Sequence, residues 1–152
     1  MGKTTDARVT DALLAIFKDK NTHLDLRTQA AGVLGKIGDT RVCPDMMAGL
    51  ADSEVEIQAA CARSLGHFSY PNAVTPLVQL LASTNVMVRA AAAEALGNME
   101  VKANEAAQGL LGLYGDNSIS SDLRQTVRDA LQKLLPKLRG EAKRAVEEVM
   151  KL

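Results

Sequence analysis

The sequence predicts an all-α fold, a right-handed α-solenoid (superhelix) of about four helix pairs and roughly nine helices. Three observations carry this expectation: a motif that returns every 31 residues, one apolar stripe of helical period in each copy, and an apolar inventory built from Ala and Leu. Aromatics are only 3% of the chain and Trp is absent, whereas strands draw on Val, Ile, Tyr and Phe in bulk.

Self-similarity at a fixed period decides architecture before any single motif does. The strings LRTQAAGVLGKI (26–37), IQAACARSLGHF (57–68) and VRAAAAEALGNM (88–99) align without a gap, and their Leu-Gly pairs fall 31 residues apart. A weaker copy, LRQTVRDALQKL (123–134), follows after 35 residues and lacks the Gly. Counted from the first residue of each copy, offsets 0, 3, 4, 7, 8 and 11 form one helical stripe. In the second copy these are Ile57, Ala60, Cys61, Ser64, Leu65 and Phe68; in the first, Leu26, Gln29, Ala30, Val33, Leu34 and Ile37. The stripe is expected to be buried in all four copies.

A shorter apolar segment precedes each copy: ARVTDALLAIF, RVCPDMMAGLA, AVTPLVQLLA and NEAAQGLLGLY. Ser53 with Glu56 fits a capping box and Thr22 with Asp25 a looser one, either of which starts a helix. Pro44 and Pro76 stand near the start of their segments, where a missing N–H is tolerated. After Pro136 a last amphipathic stretch offers Ala142, Ala145, Val146 and Val149 to one face. The expected layout is one repeat domain over 1–152, with second helices near 23–37, 54–68, 85–99 and 121–135 and a capping helix at 139–151.

Bulk composition narrows the function classes. Eighteen basic residues balance eighteen acidic ones, so the excess of Lys and Arg that phosphate binding draws on is missing, and no nucleic-acid partner is expected. No apolar run approaches the roughly 20 residues that cross a bilayer, so no membrane association is expected either. Two cysteines, Cys43 and Cys61, make no disulfide framework and suit a reducing, cytoplasmic setting. Gly2 invites a myristoylation reading, but Asp6 stands where that motif takes Ser or Thr. Gly2-Lys3-Thr4 lacks the upstream Gly and strand of a phosphate-binding loop. The expected state is a monomer.

The strings LASTNVMVRAAAAEALG and LADSEVEIQAACARSLG resemble the short HEAT-like repeats of the bilin-lyase type, over roughly residues 5–135. The resemblance implies stacked pairs whose first helices face a convex side and whose second helices line a concave one. It also implies a ladder between turn aspartates (Asp19, Asp52, Asp116) and the offset-1 residues Arg27, Arg89 and Arg124, with Gln58 in the same slot. Some related enzymes bind iron through His-Glu pairs; here His23 precedes Leu24 and His67 precedes Phe68, so no metal, cofactor or catalytic residue is expected. Cys61 falls on the buried stripe and reads as a small core hydrophobe.

The strip opposite the core is the candidate site. Offsets 2, 6 and 10 give Thr28, Arg63, His67, Glu94, Asn98, Gln125 and Asp129 as the side chains of a concave protein-binding surface. Their mixed sign argues against phosphate. The basic cluster of Lys133, Lys137, Arg139, Lys143 and Arg144 lacks aromatics for base stacking and reads as a solvated face. The function expected is therefore a scaffold or adaptor that binds another protein. The alternative carried by the repeat type is a bilin lyase-like, pigment-handling protein.

Overall fold

The computed structural model describes residues 6–151; the Gly2-Lys3-Thr4 string and the Gly2 site lie outside them. Among the described residues there are nine α-helices and no strand. They are α1 (Ala7–Lys18), α2 (Leu24–Ile37), α3 (Cys43–Gly49), α4 (Val55–Phe68), α5 (Val74–Leu80), α6 (Val86–Gly97), α7 (Ala103–Tyr114), α8 (Ser121–Leu134) and α9 (Gly140–Met150). Short 3-10 turns at Thr40–Val42, Pro71–Ala73 and Leu135–Lys137 lead into α3, α5 and the loop before α9.

The even-numbered helices α2, α4, α6 and α8 stack side by side in chain order, and each packs on the odd-numbered helix before it. The stack forms because one residue pair recurs at every step. The offset-9 glycine of one second helix meets the small offset-7 residue of the next. A Cβ on Gly35 would lie 2.6 Å from Ser64 Oγ, one on Gly66 2.7 Å from Ala95 Cα, and one on Gly97 2.8 Å from Ala130 Cα. The last copy carries Gln132 in the glycine slot and leaves it exposed. The offset-8 residues Leu34, Leu65, Leu96 and Leu131 form the buried spine of the core.

The first copy departs from the expected stripe. Ala30 and Leu34 are buried, but Leu26, Gln29 and Val33 are exposed, because offsets 0, 3 and 7 face the preceding second helix and α2 has none. The capping expectations are also corrected. α4 starts at Val55 behind Glu54, which makes no side-chain cap; Asp52 Oδ1 takes the Glu54 N–H at 2.9 Å instead of Ser53 serving Glu56. α2 is capped by His23, whose Nδ1 accepts from Asp25 N at 3.2 Å, while Thr22 Oγ1 donates to Asp19.

The third repeat helix stops at Gly97 instead of reaching Met99. The Asn98 carbonyl is held by Ser69 Oγ (3.2 Å) and the Met99 carbonyl by Lys137 Nζ (3.1 Å), so that turn leaves the helical ladder. At the far end α9 buries Ala142 and Val146, but Ala145 is exposed. Ala145 lies one residue before Val146, which turns it off the packed side of the helix.

Candidate functional site

Of the expected Asp–Arg ladder, one rung joins consecutive repeats, Arg27 to Asp52, while Gln58 and Arg124 bond backbone carbonyls of their own repeat. Arg27 Nε donates to the Phe17 carbonyl at 3.0 Å and its Nη2 to Asp52 Oδ2 at 3.2 Å, so Arg27 ties the first repeat to the second. Asp19 serves its own turn through Asn21 N and Thr22 Oγ1. Burial works to raise the Asp52 pKa, but the Glu54 N–H, the Arg27 guanidinium and Lys20 outweigh it and hold the carboxyl below its ordinary value. Arg124 donates to the carbonyls of Tyr114 and Asp116, and Gln58 to that of Asp52. Arg89 Nε is buried without a hydrogen-bond partner. Arg27, Gln58 and Arg124 are therefore structural ties.

A cleft of ≈ 230 Å³ over this ladder is lined by Phe17, Lys18, Lys20, Arg27, Asp45 and Asp52. Its charges are already paired: Lys18 with Asp45 at 3.6 Å, Lys20 with Asp52 at 3.5 Å and Arg27 with Asp52 at 3.2 Å. Both cysteines are buried. Burial pushes the Cys61 thiol up to about 12 and raises that of Cys43, with Asp39 adding to the latter. Such thiols stay protonated near neutral pH, which is the opposite of an activated nucleophile. Among the described residues no three His, Cys, Asp or Glu side chains are placed to hold a metal ion.

The open strip of the second helices is narrow. Behind its first turn, α4 exposes only Arg63 and His67, because α2, α3 and α6 cover its remaining sides. In the same stretch α6 exposes only Glu94, with Asn98 half-buried just past its end. The strip is joined crosswise. Arg63 Nε donates to Glu94 Oε2 at 3.3 Å, and Lys133 Nζ reaches Asn98 Oδ1 at 3.5 Å. Gln125 Nε2 donates to Asp129 Oδ1 at 2.8 Å within α8. Thr28 Oγ1 donates to the Leu24 carbonyl one turn back in α2 at 2.9 Å and is half-buried, so it adds little to the surface.

Thus the structure brings Arg63 together with Glu94 and Asn98 together with Lys133, and among the described residues His67 has no hydrogen-bonded side-chain neighbour. Between α6 and α8 a cleft of ≈ 150 Å³ is lined by Glu94, Thr126, Asp129, Ala130 and Lys133. Thr126 and Lys133 were not among the expected binding residues. Lys133 shares offset 10 with His67 and Asn98, which was the available signal. Thr126 falls on the expected buried stripe but stays half-buried, because it borders the open cleft between α6 and α8.

Comparison with known proteins bears on this geometry. Residues 44–135, more than half of the chain, match the family model described as HEAT repeats, and residues 26–52 match the PBS lyase HEAT-like repeat. No curated protein matches the chain in sequence. Among solved structures it is similar to the complex of CpcE and CpcF of phycocyanin lyase from Nostoc sp. PCC7120, at 17% identity and a TM-score of 0.49. That likeness covers 96% of this chain and 82% of the other. Among the described residues no helix is long and apolar enough to cross a membrane. With its glycine-on-small-residue stack and the HEAT-repeat match over three consecutive second helices, α4, α6 and α8, the chain belongs to the HEAT-repeat family.

Proposed function

We propose that the chain is a cytoplasmic interaction module that holds a partner protein along the open strip of α4, α6 and α8. The observation that carries this reading is the contrast within α4 and α6. Behind the first turn each is buried on almost every side, and the side chains left in water there are Arg63, His67 and Glu94. Packing is served by Ala, Gly and Leu throughout these helices, so long polar groups on the remaining strip are free to serve recognition. Arg is among the residue types that concentrate interface energy, and central positions carry most of it. The mixed sign of Arg63, Glu94, Asp129 and Lys133 suits a polypeptide with both charges better than a phosphate backbone.

A second reading, a pigment-handling role of the bilin-lyase kind, is favoured by the match of residues 26–52 to the PBS lyase HEAT-like repeat. The two separate in one pair of assays. Immobilised wild type should capture a specific partner that Arg63→Glu loses and Lys143→Glu, on the exposed face of α9, retains. Mixing with free bilin should leave the pigment spectrum unchanged. A bilin spectral shift that persists in Arg63→Glu would favour the second reading.

A further inference from the structure

The first helix pair ends in an apolar surface that no other described residue covers. Val9 and Ile16 of α1 are 48% and 38% exposed, and Leu26 and Val33 of α2 are 55% and 42% exposed. All four point to the same end of the stack. On α2, Leu26 and Val33 lie opposite Gly35, which packs forward onto Ser64. On α1, Val9 and Ile16 lie on the flank away from Asp11 and Lys18, which reach forward to Arg41 (3.7 Å) and Asp45 (3.6 Å).

This end is not shaped for another helix of the repeat kind. The offset-7 slot that receives a glycine elsewhere holds Ser64, Ala95 or Ala130, whereas here it holds the branched Val33. A preceding helix could not approach as closely, so the face suits knobs of its own size. The face is also self-complementary. If α2 runs antiparallel to α2 of a second copy, Leu26 meets Val33 of that copy, twice by symmetry. The same register sets Asp25 opposite Lys36 of the second copy, since both pairs are centred near Gln29 and Ala30. α1 follows the same rule, with Val9 against Ile16 about a centre near Ala12.

We propose that the chain forms a two-fold homodimer through this end, in place of the expected monomer. Head-to-tail growth is disfavoured because the opposite end is covered by α9 and shows the polar Gln132 in the corresponding slot. A closed isologous contact therefore fits, and an open fibre does not. Two helices of 12 and 14 residues are about 18–21 Å long, a face near the lower limit of a standard interface, so the dimer is a reversible one. The axis lies in the contact plane and leaves both open strips on one side of the assembly. The inference stands on the end face alone and does not depend on the partner reading above.

Sedimentation velocity across a dilution series tests it. Wild type should move from 16.2 kDa toward twice that mass as concentration rises. Val33→Glu, folded by circular dichroism, should stay monomeric, and Lys143→Glu at the opposite end should dimerise as wild type does. Asp25→Lys and Lys36→Asp should each weaken association about tenfold, and the double variant should regain most of it, because only an Asp25–Lys36 pair across the axis is restored by exchange. A wild type that stays monomeric, a dimer indifferent to Val33→Glu, or a double variant no better than the singles would overturn the proposal.

Discussion

Gly66 of α4 and Ala95 of α6 meet backbone to backbone: a Cβ on Gly66 would stand 2.7 Å from the Ala95 Cα and 3.2 Å from its carbonyl oxygen. Neither atom belongs to a side chain that can swing away, so α4 and α6 would have to move apart. Gly66→Ala should therefore cost about 3 kcal/mol, at the upper end of overpacking effects. Gly32, mid-helix in α2 with nothing within 4 Å of its would-be Cβ, gives the opposite sign. Gly32→Ala should stabilise by about 0.5–1 kcal/mol through backbone entropy. Urea melts of the two variants check the pair, and equal effects would contradict the stacking geometry.

Leu65 and Leu96 are both fully buried at the same offset of successive repeats. Replacing either with Ala removes apolar contact and opens a cavity between tightly held helices, at a cost of roughly 2–5 kcal/mol. Denaturant unfolding measures it; a loss below about 0.5 kcal/mol at both sites would rule out the spine as described.

Arg27 and Asp52 keep only 6% and 7% of their side chains in water. Asp52→Asn leaves the guanidinium buried beside a neutral amide and should cost about 3 kcal/mol, whereas Arg27→Met leaves the carboxylate still held by Lys20 and the Glu54 N–H and should cost less. The pair also sets an acid limit. Because the Asp52 pKa is lowered from 3.8, its contribution is complete well above that value and is lost as pH falls through the lowered folded pKa. Stability measured from pH 6 down to pH 2 should fall less steeply in Asp52→Asn than in wild type.

Arg63 and Glu94 are about half exposed, so their ion pair contributes at most about 1 kcal/mol. Arg63→Glu should shift the melting temperature little while weakening the partner complex by more than about 1 kcal/mol. The exchanged variant Arg63→Glu with Glu94→Arg restores the pair but inverts the strip. Calorimetric titration with the captured partner should find it still impaired. Full recovery of binding would mean that the pair matters for stability alone.

The sequence by itself determined the repeat, the helix faces and the core. Leu34, Leu65, Leu96 and Leu131 recur at one offset and are buried, because a 3.6-residue period records which side of a helix meets apolar neighbours. The recurrent glycines were visible too, though not that each receives a small residue of the next helix, since that contact joins positions 29 to 33 residues apart. Periodicity states which face would be buried if a neighbour stood there, and cannot say whether one does. Leu26 and Val33 follow the stripe and are exposed for that reason alone. The open strip was legible as a row of offsets. Its pairing of Arg63 with Glu94 and the place of Lys133 beside Asn98 came only from the distance at which the tertiary stack sets one helix against the next.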